Sequence, residues 1–424
     1  MLEYLKLRNV GPAAELELEP SPRINLITGD NGLGKSFLLD TAWWALTRTW
    51  SSLPARPMPG TKSPAISFRF EGQRRVSEYT STFDRREQAW KGRAGRPANP
   101  GLVLYAQVDG SFSVWDPARN YWRKKGNVDV QDRPPAYLFR SAAIWDGLEV
   151  EGNVLCNGLI RDWVSWQKEG GEAFEQLKAV LSRLSPSPDE ALIPGKPTRI
   201  SLDDVRDSPT LQMPYGQEVP ALHASAGMKR IIALGYLLVW AWQEHQRASE
   251  LLGQPVTRQV IFLIDEVEAH LHPRWQRVVL KSLLEVMGAL TGSAGAQVQL
   301  VCATHSPLLL ASVEPLFDEE KDQLFHLDLV DGKVVLSPAP WCKQGDTTNW
   351  LVSEVFGLRQ GRSLEAERAI EAAEAFMRKD FALLPNGLDT KEKIHAELER
   401  VLAGHDPFWP RWIVHSEQNA GSRA

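Results

Sequence analysis

Hydrophobic and polar positions alternate with a period of two at the start of the chain. Leu2, Tyr4, Leu5 and Leu7, interrupted by Glu3 and Lys6, predict one strand, and Ala14-Glu15-Leu16-Glu17-Leu18 predicts a second. Three later segments are largely apolar: Arg23 to Thr28, Val260 to Ile264 and Leu300 to Ala303. Runs of this kind suit strands buried on both faces of a parallel sheet. Phe37-Leu38-Leu39-Asp40-Thr41-Ala42-Trp43 predicts the opening of a helix, and Ile231 to about Ser249 predicts a long one. Between them, residues 66–138 read as strand-rich, with a hairpin turn at Asp109-Gly110. Within 155–185, Leu159, Ile160, Trp163 and Trp166 share one helical face. Pro54, Pro57, Pro59 and Pro64 break the pattern once, and Pro186, Pro188, Pro194 and Pro197 break it again. The tail is charged and mostly helical. These breaks divide the chain into 1–65, 66–197, 198–345 and 346–424, with no internal repeat. Strands and helices that follow one another in this way predict an α/β fold.

Composition narrows the picture modestly. At 424 residues there is room for two or three domain-sized units. A net charge of −5 argues against coating nucleic acid over the whole surface, while leaving room for a local basic patch. Cys156, Cys302 and Cys342 are odd in number and far apart, so they outline neither a disulfide framework nor a metal site. The first residues lack the basic-then-apolar pattern of a signal peptide. The longest apolar run, Ile231 to Trp242, is twelve residues, too short to span a bilayer. A cytoplasmic protein with no membrane segment is expected.

The first candidate chemistry follows the strand at Arg23 to Thr28. Gly29-Asp30-Asn31-Gly32-Leu33-Gly34-Lys35-Ser36 fits G-x-x-x-x-G-K-[ST] and precedes a predicted helix. Strand, glycine-rich loop and helix N-terminus make a phosphate cradle of backbone N–H groups. Gly29, Gly32 and Gly34 let the backbone turn tightly and approach an anion. Asn31 lies in the same loop. Lys35 reaches the β- and γ-phosphates and Ser36 ligates Mg²⁺. The pattern predicts ATP with Mg²⁺ as cofactors.

The second apolar strand ends in Asp265 and Glu266. In open parallel sheets ligands lie beyond the carboxyl ends of the strands, so these carboxylates should face the phosphate loop. Asp265 suits the Mg²⁺ shell, and Glu266 suits the base that orients the attacking water. Read alone, the pair would be a strand ending in solvated acids; the phosphate loop tips the balance. The third strand ends in Thr304-His305-Ser306, where His305 could bond the γ-phosphate or the attacking water. Before the long helix stands Ala224-Ser225-Ala226-Gly227-Met228-Lys229-Arg230. Ser225 suits an N-cap, and Gly227 leaves the backbone open to an anion.

Taken in order, GDNGLGKS, ASAGMKR, VIFLIDEVEAHLHP and VCATHSP resemble the ABC-class ATPases of the SMC, RecF and OLD type, and in particular the stand-alone ATPases of bacterial anti-phage systems such as Septu and PARIS. The resemblance is strong over about 1–50 and 220–312 and silent elsewhere. It implies an ABC-type P-loop head split between 1–65 and 198–345, a β-rich and helical insert over 66–197, and a C-terminal helical segment over 346–424. It also implies a homodimer that sandwiches ATP. Ser225 and Gly227 of one head would then touch the γ-phosphate held by Lys35 and Ser36 of the other. Asp265 and Glu266 become the Walker B pair, His305 the switch histidine, and Glu268 to Pro273 the D-loop.

Departures from the family pattern are visible. Ala226 stands where many relatives have Ser or Gly, and Gln107 is a guess for the Q-loop. Residues 51–220 are too short and proline-rich for a long coiled coil, and the tail lacks the acid cluster of a TOPRIM nuclease. His270 and His272, two apart, do not align as ligands on a helix face; a helix start at Pro273 is the simpler account.

Between 85 and 125, Arg85, Arg86, Lys91, Arg93, Arg96, Arg119, Arg123, Lys124 and Lys125 interleave with Trp90, Trp115, Tyr121 and Trp122. Cations beside stacking rings suit nucleic acid. A protein-docking or core role for the same residues stays open.

The expected function is an ATP-driven homodimeric switch in genome defence or DNA maintenance, working with a separate nuclease or toxin effector. The alternative is the nucleotide-binding subunit of a membrane transporter, which would normally carry an LSGGQ-like signature and an Asp-ended D-loop. A third reading, a scaffold that binds ATP without turnover, leaves Glu266 unused.

Overall fold

The computed structural model describes residues 1–72, 76–92, 98–120 and 135–418. Contacts divide the chain into two units, Met1–Thr347 and Thr348–Ala424.

The first unit is built on two sheets. The larger has eight strands in the spatial order Lys333–Ala339, Asp322–Val330, Ile24–Gly29, Gln297–Ala303, Gln259–Asp265, Leu102–Ala106, Phe112–Trp115 and Tyr137–Phe139. The five strands from Asp322–Val330 to Leu102–Ala106 run parallel, and antiparallel strands close both edges. Every residue of Gln259–Asp265 and of Leu102–Ala106 is buried, as unbroken apolar runs require when both faces of a sheet are covered.

The smaller sheet is antiparallel, in the order Leu2–Val10 beside Ala13–Leu18 on one side and Ala65–Glu71, Val76–Asp84 and Ala89–Trp90 on the other. Here the period of two sets the faces. Leu5, Leu7, Leu16 and Leu18 point into the core, while Lys6 pairs with Glu15 and Glu17, each at 2.8 Å, on the outer face. Buried Gln299 stitches the sheets together. Its Oε1 accepts from the Leu2 N–H at 2.8 Å, and its Nε2 donates to the carbonyls of Leu2 and Ser21 at 2.8 and 2.9 Å.

Between the sheets lies the helix Lys35–Thr47, in contact with strands of both. It is apolar on nearly every side because it is covered on nearly every side: Leu38, Leu39, Ala42, Trp43, Trp44, Ala45 and Leu46 are all buried. Trp43 is fully enclosed, so truncating it to Ala should cost about 3–5 kcal/mol.

Residues 66–197, expected as an insert, are woven into this architecture. They supply strands to the smaller sheet and three neighbouring strands, Leu102–Ala106 onward, to the larger one. Leu102–Ala106 pairs with Gln259–Asp265, far downstream, a long-range contact that local periodicity does not report. The Asp109-Gly110 turn joins Leu102–Ala106 to Phe112–Trp115, with Gly110 at φ +82° and Asp109 Oδ1 accepting from the Ser111 N–H at 2.8 Å. The long helix spans Ala226–Leu251 and packs with the helices Glu172–Arg183 and Val279–Thr291. Its Trp240 meets Phe139 and Tyr137 of the sheet edge edge-on.

The second unit holds the helices Leu364–Arg378, Lys391–Val401 and Phe408–Gln418 around its own core of Ala366, Ala369, Ile370, Ile394, Leu398 and Trp412. Among the described residues no helix is long and apolar enough to cross a membrane.

Candidate functional site

The glycine-rich loop leaves the strand Ile24–Gly29 at its carboxyl end and enters the helix Lys35–Thr47. Gly29 has φ +135°, and a Cβ there would fall 2.2 Å from the carbonyl oxygen of Leu327 on the adjacent strand. Gly34 caps the helix at φ +103°, and its Cβ would meet the ring of Pro12 at 2.7 Å. A side chain at either position is therefore excluded twice, by sterics and by backbone conformation. Asn31 and Gly32 are exposed at the loop tip. Lys35 is 5 % exposed, and its Nζ donates to the carbonyls of Gly29 and Asp30 at 2.8 and 2.9 Å. Burial pushes its pKa down, while Glu266 and Asp265 pull it back up.

Asp265 ends the strand Gln259–Asp265, two strands away from Gly29 in the larger sheet. Its Oδ1 is buried and has no protein partner, and the Ser36 hydroxyl is near enough to lower the pKa of the carboxyl. Burial pushes its pKa up to about 6, Ser36 opposes that shift, and Glu266 adds to it. A buried carboxylate oxygen without a donor, beside a hydroxyl, is a donor set suited to a hard cation such as Mg²⁺, which takes few protein oxygens. Ser36 and Asp265 thus fit the metal expected of them.

Glu266 follows at φ +47°, a left-handed conformation uncommon for a residue with a side chain. Its N–H donates to Ala303 O at 3.0 Å, and its own carbonyl accepts from the Ala269 N–H at 3.0 Å. Its Oε1 lies 3.1 Å from His305 Nε2. His305 stands just beyond the strand Gln297–Ala303, which lies between the phosphate-loop strand and the acidic strand. Burial first, and Lys35 second, lower the pKa of His305, and Glu266 opposes them. Lys35, Ser36, Asp265, Glu266 and His305 therefore meet at the carboxyl ends of three neighbouring parallel strands, where such sheets bind ligands.

Ser225 and Gly227 occupy a different place. Ser225 is exposed and N-caps Ala226–Leu251, its Oγ accepting from the Met228 N–H at 3.3 Å. Gly227 is buried against the loop after the acidic strand, where a Cβ would sit 3.0 Å from His270 O. Their described contacts run to their own helix and to that loop.

Two residues inside the quoted motif segments, to which the sequence assigns no role of their own, tie these parts together. Arg230, near the start of the same helix, donates to the carbonyls of Val108, Gln107 and Glu266 at 2.7, 3.3 and 3.0 Å. It brings the turn after Leu102–Ala106, and with it Gln107, to the acidic loop. Beside it opens a cavity of about 270 Å³ whose walls include Gln107, Trp145, Lys229, Val267 and His270. Buried Glu268 accepts from Thr304 Oγ1 and from the His305 N–H. In the sequence Arg230 closes the ASAGMKR segment and Glu268 opens the D-loop segment, without a role of its own for either.

His270 has φ +65°, and His272 N-caps the helix Pro273–Gln276 through Nδ1, which accepts from the Arg274 N–H at 3.3 Å. Among the described residues no group of three or more His, Cys, Asp or Glu is placed to hold a metal ion.

In the basic, aromatic stretch, Trp90 and Trp115 are buried and unavailable for base stacking. Arg119 lies over the rings of Tyr137 and Trp240 at 4.1 and 5.0 Å and pairs with Glu244 at 3.6 Å. Of the described cations, Arg85, Arg86 and Lys91 are exposed. Arg93, Arg96, Tyr121, Trp122, Arg123, Lys124 and Lys125 lie outside the described residues.

Known proteins share parts of this chain. A segment of 98 residues is 31% identical to "Retron Vc95 probable ATPase" from Vibrio cholerae, covering 23% of this chain and 17% of that protein. Another, of 134 residues, is 30% identical to "Septu protein PtuA" from Bacillus mycoides, covering 32% and 16%. The chain thus spans about a sixth of the length of these curated relatives. Among solved structures, the SMC head domain from Thermotoga maritima is 14% identical over 80% of this chain and 99% of its own, with a TM-score of 0.38. An SmcHead bound to the C-winged helix domain of ScpA is 12% identical over 80% and 97%, with a TM-score of 0.39. Both structural likenesses are loose. Residues 24–311, which run from the phosphate-loop strand past His305, match the family described as "AAA domain, putative AbiEii toxin, Type IV TA system", and the chain belongs to that family.

Proposed function

We propose that this protein is a Mg²⁺-dependent ATPase whose two copies close on ATP, and that the closed pair drives a separate effector chain in defence against phage. The observation that supports this most is the convergence of Lys35, the Ser36–Asp265 pair and the Glu266–His305 pair at adjoining strand ends. Lys35 already sits on the loop carbonyls and needs only to turn to reach β- and γ-phosphates. Held by Ser36 and Asp265, Mg²⁺ would supply positive charge at the phosphate oxygens. Glu266 would accept the proton of the attacking water, and His305 would hold the Glu266 carboxylate in place and face the γ-phosphate.

Dimerisation rests on position. Ser225 is exposed at a helix N-terminus, and its described contacts do not run to the phosphate loop of its own chain. A second copy would place Ser225 and Gly227 at the γ-phosphate. Defence is supported by the retron and Septu relatives, and a second protein by the toxin system named in the family description.

Phosphate release by the wild type, Lys35→Ala and Glu266→Gln chains tests the hydrolytic reading. Lys35→Ala should lose ATP binding, while Glu266→Gln should bind ATP and lose turnover by about 10²-fold or more. Wild-type turnover that survives both substitutions would overturn it.

A further inference from the structure

Glu268 is 7 % exposed, and among the described residues no cation lies within ion-pair distance of its carboxylate, although its charge raises the pKa of Arg230 and Lys35. Both of its hydrogen bonds land on one oxygen. Thr304 Oγ1, which accepts from the Ser306 N–H at 3.0 Å, donates its own proton to Glu268 Oε1, and the His305 N–H donates to the same atom at 3.0 Å. The other oxygen, Oε2, is buried without a partner. A second link runs beside this one: Ser306 Oγ donates to Gln276 Oε1 at 2.8 Å, and Gln276 Nε2 donates to Leu271 O at 3.0 Å. The loop after the acidic strand and the loop after the histidine strand, which carry the 3.1 Å contact of Glu266 with His305, are therefore laced together.

We propose that Glu268 is a positioning residue for the Glu266–His305 pair, acting as a hydrogen-bond acceptor and not as a charge. It holds the Thr304 hydroxyl and the His305 N–H, alongside the Thr304 N–H bond to Ile27 O at 3.0 Å, so that the imidazole is delivered to the Glu266 carboxylate. A one-residue rotation of that loop would carry His305 away from Glu266, since the ring has no other anchor among its described contacts. The bonding pattern sets the acceptor role. One oxygen takes two donors, and the second takes none, so an amide oxygen would serve where the carboxylate does. Burial pushes the Glu268 pKa up, bonds from Thr304, its own N–H and the His305 N–H oppose that, and Glu266 adds to it. The inference rests on the hydrolytic reading above for its effect on rate, and on geometry alone for its effect on His305.

The test compares Glu268→Gln, Glu268→Ala and Thr304→Val in the full chain, with and without His305→Ala. Glu268→Gln keeps the accepting oxygen and should leave kcat within about threefold of wild type. Glu268→Ala should lower kcat by about 10- to 100-fold with little change in KM, and Thr304→Val should lower it less. Because Glu268 acts through His305, adding Glu268→Ala to His305→Ala should cost no more than about twofold further. In parallel, the His305 ring signal, assigned by its loss in His305→Ala, should shift in Glu268→Ala and Thr304→Val and stay in place in Glu268→Gln. Thr304→Val carries the test if Glu268→Ala does not fold. Equal losses in Glu268→Gln and Glu268→Ala, additive losses in the double variant, or an unmoved ring signal would overturn the proposal. A wild-type chain without ATPase activity would instead remove the hydrolytic reading, and the ring signal would still decide the role of Glu268.

Discussion

His305 Nε2 stands 3.1 Å from Glu266 Oε1, although the two residues close different strands of the sheet. The contact is made possible by an uncommon backbone. Glu266 turns at φ +47°, held by its N–H bond to Ala303 O and by Arg230 on its carbonyl. Left-handed backbone at a residue with a side chain costs on the order of 1–3 kcal/mol and persists only where the surroundings over-determine it. Here it aims a carboxylate at an imidazole.

His305→Ala should therefore lower kcat by about tenfold to a hundredfold with ATP binding intact, read as phosphate release against nucleotide titration. The pH dependence has a definite sign. Burial and Lys35 lower the pKa of His305, so the ring stays neutral through neutral pH and charges only at lower pH than a free histidine. The acid limb of the rate profile attributable to His305 should lie below the ordinary histidine range. A limb above that range would contradict the assignment.

Asp265→Asn should stabilise the nucleotide-free protein while weakening metal binding. The folded-state pKa of Asp265 is raised to about 6, against about 3.9 for a free Asp. A carboxyl raised in this way contributes its stability when protonated, and that contribution is lost as pH rises from about 4 through 6. At pH 7 the ionised, buried group therefore costs about 2–3 kcal/mol, to order of magnitude. Removing it should raise the melting temperature at pH 7, with a smaller gain at pH 5. A variant less stable than wild type at pH 7 would contradict the reading of Oδ1 as an unpartnered oxygen waiting for a cation.

Much of this site is legible in the sequence, for a physical reason. The phosphate loop is contiguous, so Gly29 to Ser36 carry their geometry in a single stretch of chain. Asp265 and His305 stand out because each ends a run apolar enough to require burial on both faces. Relations across the sheet are not legible in the same way. Leu102–Ala106 reads as part of an insert because nothing near it in the chain announces its pairing with Gln259–Asp265. For Trp90 and Trp115 the sequence leaves stacking, docking and core roles open, because composition does not distinguish an exposed ring from a buried one; both are buried. Arg230 acts on main-chain carbonyls, and Glu268 on the Thr304 hydroxyl and the His305 N–H, all far from them in the chain, so no local pattern announces either role.

Arg230 supplies the next test. Its guanidinium serves three carbonyls from two loops, and hydrogen bonds to a charged donor are each worth about 1.5–3 kcal/mol. Arg230→Ala should lower stability by roughly 2–4 kcal/mol in denaturant unfolding and depress turnover together with it. Arg230→Lys should recover less than half of the loss, because an ammonium cannot reproduce the planar fork. Full recovery by Lys would mean that charge, and not the fork, is what the loops need.

The central claim is an ATP-clamped pair of chains, and the most direct measurement is the molar mass of the Glu266→Gln chain in solution with ATP and Mg²⁺. Glu266→Gln leaves Lys35, Ser36 and Asp265 in place and removes the group proposed to activate water, so nucleotide should bind and persist. The account predicts twice the chain mass with ATP and Mg²⁺, the single-chain mass without them, and the single-chain mass under both conditions once Lys35→Ala or Ser225→Arg is added. A Glu266→Gln chain that binds ATP and keeps the single-chain mass at every protein concentration would contradict it.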